Sequence, residues 1–287
     1  MKTRHAQACL VLGGTGAVGR FLLPRLRDGR RSLIALSRHR VEPNDSSIEW
    51  MQGDLYTEMP DLGDRAIQSM VSVGPLDGLV RWLATASLSD LKRVVALGSM
   101  SVVVKADSHD PAERELAERL RQSEKALLAH CADRNIAVVV LRPTLIYGAD
   151  VDRSLSALVE LGMRWRVFPS IPGATGLRQP IHADDVAAAC VAALDAAESS
   201  PKIYDIGGAE RLAFSAMIER TRASLALITL PVRVPLSLAR IALRLLQIFP
   251  RWQHLSGGLV DRLCVDQTAD NAPATNDLDW HPRDFQP

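Results

Sequence analysis

The sequence predicts an α/β fold: a doubly wound parallel sheet with a small, mostly helical lobe added toward the C-terminus. Three observations carry that prediction. Short apolar runs alternate with amphipathic segments through the first half of the chain. The first run, 8–12, ends in glycines spaced G-x-x-G-x-x-G (Gly13, Gly16, Gly19), and an amphipathic segment follows at once. The run 136–141 (IAVVVL) is apolar without a break, as a strand covered on both faces must be. Strand, tight turn and helix start, in that order, are what a dinucleotide pyrophosphate needs. Glycines let the backbone turn sharply and approach the phosphates, and the helix N-terminus offers free N–H groups and a partial positive charge. The context of the glycines, near the N-terminus between a strand and a helix, marks a Rossmann dinucleotide site.

Each element has its own justification. The turn after 8–12 leads into a helix over 17–28, stopped by Gly29. Strands are predicted at 32–37 (SLIALS), 48–51 and within 66–73, the last closed by Gly74-Pro75. A helix over 76–87 leads to a fifth strand, 93–97 (RVVAL), which runs into Gly98-Ser99. The stretch 111–134 carries Glu and Arg on one side and Leu and Ala on the other, a long amphipathic helix before the sixth strand. After Pro143 the pattern loosens. Helix is predicted at 154–161, loop at 168–173, an alanine-rich helix at 184–197 and strand at 202–206. Beyond 214 the pattern is of helices broken by Pro231, Pro235 and Pro250. The dinucleotide-binding domain is placed at 1–150, completed by about 181–208, and the substrate lobe at 151–180 and 209–287.

Composition narrows the function. With 287 residues there is room for one large α/β domain and an appendage. A formal charge of +1 argues against a nucleic-acid binder that works by neutralising phosphates. The four cysteines (Cys9, Cys131, Cys190, Cys264) form no C-x-x-C pair, so neither a disulfide framework nor a metal site is expected, and a cytoplasmic setting fits. Residues 1–7 show no signal-peptide pattern. No run reaches the length of a membrane span. The basic amphipathic segment 234–249 is expected to pack on the body of the protein rather than to touch a membrane surface.

With these elements placed, the chain resembles the extended or atypical short-chain dehydrogenase/reductase superfamily, in its NAD-dependent epimerase/dehydratase branch. Gly13-Gly14-Thr15-Gly16-Ala17-Val18-Gly19 is similar to that branch's phosphate loop. Gly53-Asp54-Leu55 looks like its adenine contact, and Leu141-Arg142-Pro143 opens a motif whose backbone borders the nicotinamide. Ile181 to Ala187 resembles the later H-x-x-D-V-A segment, and Trp280-His281-Pro282-Arg283 the closing W-x-P-R. Read residue by residue, the resemblance implies cofactor contacts at Gly13, Thr15, Gly16, Ala17, Val18, Gly19, Ser37, Arg38, Asp54, Leu55, Val73, Lys125 and Pro143. It also implies an epimerase-, dehydratase- or reductase-type activity on a small molecule of the nucleotide-sugar class, and a homodimer.

The reacting end departs from the family pattern. Such enzymes use a Ser or Thr, a Tyr and a Lys four residues after the Tyr, because a cation one helical turn away lowers the phenol's pKa for proton exchange with a substrate hydroxyl. Here Ser101, with Ser99 as near alternative, matches the serine, and Lys125 the lysine. Arg121 stands where the tyrosine belongs, and the three tyrosines (Tyr56, Tyr147, Tyr204) all lie off that helix. A guanidinium binds anions but cannot act as a base. The proton then falls to another group, such as one in 105–110 (His109 among them), or the protein is a weakly catalytic or non-catalytic NADP(H)-binding module. NADP is expected over NAD, because Ser37-Arg38-His39-Arg40 ends the second strand where an NAD site carries a carboxylate.

Overall fold

The computed structural model describes residues 8–28, 31–41, 46–148, 155–197, 200–238, 241 and 260–287. Strands β1 (Ala8–Leu12), β2 (Ser32–Ser37), β3 (Ile48–Gln52), β4 (Ile67–Ser72), β5 (Arg93–Leu97) and β6 (Ala137–Pro143) lie in one parallel sheet, joined by a later strand, Lys202–Ile206. Between them run helices α1 (Gly19–Asp28), α2 (Leu76–Leu83), α3 (Ser101–Val104) and α4 (Pro111–Asp133). Then follow β7 (Ile146–Tyr147), α5 (Leu155–Trp165), β8 (Val167–Ser170), β9 (Leu177–Arg178), β10 (Ile181–His182), α6 (Ala183–Asp195) and β11, the Lys202–Ile206 strand. The series closes with β12 (Leu212–Ala213), α7 (Phe214–Ser224), β13 (Leu230–Arg233), a 3-10 turn at Asp261–Cys264 and α8 (Ala272–Leu278).

The large sheet has the order β11-β6-β5-β4-β1-β2-β3. Its order reverses between β1 and β4, and at such a switch point the loops leave in opposite directions and open a crevice at the carboxyl ends. Alternate residues of β1 feed two separate cores. Cys9 and Val11 pack with Leu22 and Leu26 of α1 and Val186 and Cys190 of α6. Leu10 and Leu12 pack with Leu76 and Leu79 of α2 and Leu127 and Cys131 of α4. This is the expected doubly wound α/β fold.

Outside the sheet the expectations need correcting. The stretch 168–173 is not all loop, and the chain after α7 is not all helix. β8 and β13 pair in parallel, Leu230 opposite Val167 and Val232 opposite Pro169. Pro231 sits in a strand whose four residues are all exposed, an edge position where a missing N–H breaks no ladder. Most of the segment 234–249 lies outside the described residues, but Leu238 and Ile241 are exposed rather than packed.

The tail fastens the α1–α6 side. Trp280 donates from Nε1 to the Asp185 carbonyl (2.9 Å), and Arg283 donates from Nε to the Asp185 carboxylate (2.9 Å). Asp184 receives both Arg283 (2.6 Å) and Arg25 of α1 (2.8 Å). These two cations hold the Asp184 carboxyl below the usual carboxylate range, Arg25 most strongly.

Candidate active site

At the switch point a groove of about 570 Å³ opens, within the range of small-molecule sites. Gly13, Thr15 and Gly16 line it from one side, Ser37, Arg38 and His39 from another, with Asp54, Leu55 and Val73 beyond. The turn after β1 is shaped by two glycines in particular. Gly13 has φ +85°, a left-handed conformation that side chains resist. At Gly19 a Cβ would fall on the Gly13 carbonyl and 2.5 Å from that of Gly14, so α1 can start only with glycine there. Gly16 differs: a Cβ would meet only the Gly13 carbonyl at 3.2 Å and otherwise point into the groove. The close approach at Gly19 lays the helix N-terminus against the turn, the cradle that a pyrophosphate requires. Ala17 and Val18 lie behind this turn rather than among the groove's lining residues, with Val18 in the core. The residues present therefore fit a dinucleotide.

At the far end of the groove Ser37 is buried. Its Oγ accepts from the His39 N–H (3.2 Å) and lies 3.4 Å from the Thr15 hydroxyl, so strand end and glycine turn are tied together. Arg38, the next residue, is exposed at the groove's edge. Asp54 Oδ1 accepts the Tyr56 N–H (2.8 Å), which makes the Gly-Asp pair a turn as well as a groove wall. Tyr56 itself was not singled out by the sequence. It lines the groove and donates to Asp77 (2.6 Å), and partial burial with that bond pushes its phenol up to about 12.

The candidate catalytic residues lie on α3 and α4. Gly98 donates to the Leu141 carbonyl (2.8 Å) and Met100 to that of Pro143 (3.1 Å), which places Ser99 to Ser101 beside Pro143 at the strand ends. Ser101 opens α3, and its N–H donates to Ser99 Oγ (3.1 Å).

The buried stripe of α4 runs through Glu113, Ala117, Glu124, Leu127 and Cys131, and Lys125 is exposed. Glu124 occupies the inward position. Arg142 of β6 grips it with both arms of its guanidinium (2.9 and 2.6 Å) and reaches Asp205 of β11 at 3.4 Å. Arg121 points toward α3, as expected of its position. It donates 2.6 Å to Glu118 and 3.4 Å to the Val102 carbonyl, the residue after Ser101.

The loop 105–110 supplies a cluster that sequence reasoning left unresolved. Glu113, almost fully buried, is paired with Arg262 of the 3-10 turn, accepts from the Ser108 hydroxyl (2.7 Å) and lies 3.9 Å from Lys105 Nζ. Burial, and then Arg262 beside it, lower the Lys105 pKa below its ordinary value. The lysine follows Ser101 by one helical turn, its N–H bonded to the Ser101 carbonyl (3.1 Å). His109 is exposed. His182 is the N-cap of α6. Its Nδ1 accepts the Asp184 N–H (3.1 Å), and its ring packs edge-on against Phe21 and Tyr147. No group of side chains arranged for a metal ion occurs among the described residues.

Comparison with known proteins agrees with the fold. Residues 76–207 match the model of the NAD dependent epimerase/dehydratase family, so the resemblance read from the motifs is shown over that stretch. No curated protein matches the sequence. Among solved structures, MoeE5 in complex with UDP-glucuronic acid and NAD is 21% identical with a TM-score of 0.73, covering 97% of this chain and 94% of that one. UDP-glucuronic acid 4-epimerase from Bacillus cereus is 14% identical with a TM-score of 0.69, covering 97% and 95%. The NDP-hexosamine 5,6-dehydratase TunA is 17% identical with a TM-score of 0.70, covering 98% and 93%. At such identities these likenesses establish the fold and leave the reaction to the site.

Proposed function

We propose, for a chain carrying the epimerase/dehydratase family's pattern, that it binds NADP(H) and performs epimerase-, dehydratase- or reductase-type chemistry on a nucleotide-sugar substrate. The observation that carries the reading is the glycine-cradled groove at the switch point, lined by Gly13, Thr15, Gly16, Ser37, Arg38, Asp54, Leu55 and Val73. The similar structures named for NAD and for UDP- or NDP-sugar ligands support the substrate class.

When bound, the nicotinamide accepts and returns a hydride. The chain's own residues do the rest. Gly13 to Gly19 hold the pyrophosphate, Ser37 and Arg38 take the 2′-phosphate, Asp54 and Leu55 border the adenine, and Val73 and Pro143 flank the reactive end. Ser101 hydrogen-bonds the reacting oxygen, and Arg121 steadies negative charge near it. The proton of a substrate hydroxyl passes to the Lys105 amine, which burial keeps more readily neutral than an exposed lysine. Lys125 has no part in this scheme. The sugar is taken by the described part of the smaller lobe, 155–180 and 209–238.

One observation favours a second reading, an NADP(H)-binding module with little turnover and a structural or redox-sensing role. Arg121 is engaged with Glu118, and no tyrosine–lysine pair faces Ser101. Two measurements separate the readings. Calorimetric titration with both dinucleotides is expected to favour NADP+, and Arg38→Ala to cost it about ten- to a hundredfold, the worth of charge-assisted hydrogen bonds to a phosphate. Single-turnover reduction with UDP-sugars is expected in the parent protein and to be lost in Lys105→Met with cofactor affinity intact. Equal or tighter NAD+ binding overturns the cofactor assignment. Turnover undiminished in Lys105→Met removes the lysine from the chemistry, and no turnover with any UDP-sugar leaves the binding-module reading standing.

A further inference from the structure

The parallel pair β8–β13 and the end of α5 present a face that the proposed chemistry does not use. Ile228 is 93% exposed, Leu230 66% and Trp165 63%, with Met163, Val232, Leu238 and Ile241 also open. Trp165, Ile228, Leu230 and Val232 are placed together by the backbone. Leu230 donates its N–H to the carbonyl of Arg166, next to Trp165, and Leu230 and Val232 follow Ile228 at two-residue spacing around the buried Thr229. Isolated exposed leucines need no explanation, but a run of this size with an open tryptophan marks a surface that meets something apolar.

The charges on this face say what it meets. Arg164, Arg166 and Arg233 are exposed among the apolar residues, and Arg164 stacks over the Trp165 ring at 5.5 Å. Between Leu225 and Leu238 the sequence contains no aspartate or glutamate. A second copy of this chain seated on the face by two-fold symmetry would bring arginine against arginine, a costly juxtaposition. An anionic bilayer reverses that balance. Its headgroups attract the arginines, tryptophan is at home at the headgroup level, and the aliphatic side chains reach the acyl boundary.

We infer that this face docks the protein peripherally on an anionic lipid surface, with Trp165, Ile228 and Leu230 inserted at the interface and Arg164, Arg166 and Arg233 among the headgroups. No helix of the described residues is long and apolar enough to cross a membrane, so the contact is with one leaflet. The inference is independent of the proposed reaction.

Co-sedimentation of the full chain with phosphatidylcholine vesicles, with and without a minor share of phosphatidylglycerol, tests it. Binding is expected only with phosphatidylglycerol, weakening as salt rises, with a blue shift of tryptophan emission that is lost in Trp165→Ala. Each arginine near an anionic surface is worth about fivefold in affinity, so the triple variant Arg164→Gln, Arg166→Gln, Arg233→Gln should lose on the order of a hundredfold. Ile228→Glu with Leu230→Glu should abolish binding, while dinucleotide titration shows the groove still formed. Three results would overturn the inference: no binding to phosphatidylglycerol vesicles, equal binding to neutral ones, or a triple arginine variant that binds as the parent does. A dimer in sedimentation velocity that Ile228→Glu dissociates would assign the face to a second copy instead.

Discussion

The carboxyl ends of β1 and β2 and those of β5 and β6 are built by different means. Around β1 and β2, backbone does the work: a left-handed Gly13, a Gly19 that admits no Cβ, and a buried Ser37 tied to the turn. Around β5 and β6, side-chain charge does it, through Glu124, Arg142 and Asp205 and through Glu113, Arg262 and Lys105 at the end of α3. Backbone geometry specifies a shape that any dinucleotide can use and tolerates little change. Charge pairs between side chains depend less on the exact path of the backbone.

Breaking the β1–β2 end should have the largest effect. Gly19→Val places a branched side chain on the Gly13 and Gly14 carbonyls, so α1 cannot begin where it does. Complete loss of dinucleotide binding by calorimetry is expected, together with a lower unfolding midpoint; retained binding would mean that the turn is not the cradle. Glu124→Ala tests the β5–β6 end. It leaves Arg142, four-fifths buried, with only the longer contact to Asp205, and breaking a buried pair costs about 3–5 kcal/mol. Urea unfolding should show that loss, with cofactor binding preserved at low denaturant. The smallest effect sharpens the contrast. Lys125→Ala should change stability by no more than about 0.5 kcal/mol, as exposed substitutions do, and should leave dinucleotide affinity unchanged. A large loss of affinity in that variant would place Lys125 at the ribose.

How far the sequence could be read follows the same division. Strands at 32–37, 93–97 and 202–206 coincide with their predicted limits, because apolar runs punctuated by glycine announce themselves locally. The groove residues Gly13, Thr15, Gly16, Ser37, Arg38, Asp54, Leu55 and Val73 do line one cavity, since a motif fixed by backbone sterics is written in glycines. β8 and β13 were illegible. Phe168-Pro169 and Pro231 are loop signals, and the partner that makes them strands lies some sixty residues away in each direction. The buried Glu124 was not singled out in the sequence, although the spacing of Ala117, Leu127 and Cys131 puts 124 on the inner stripe of α4. The long-range partner Arg142, adjacent to Pro143 in a motif already singled out, was the other available signal.

The latch formed by Trp280 and Arg283 bears on how the molecule assembles. It joins Asp185 to residues 95 and 98 positions later, while Arg25 reaches Asp184 across 159. Contacts of such separation form late, because a long loop must be closed before any of them stabilises the chain. On a ribosome, α1 and the first strands emerge long before α6 and the tail that clasps them. The α1–α6 face of the sheet therefore waits with its apolar side uncovered during synthesis. In that interval the nascent chain is a candidate for chaperone binding and for aggregation, whatever the stability of the finished fold.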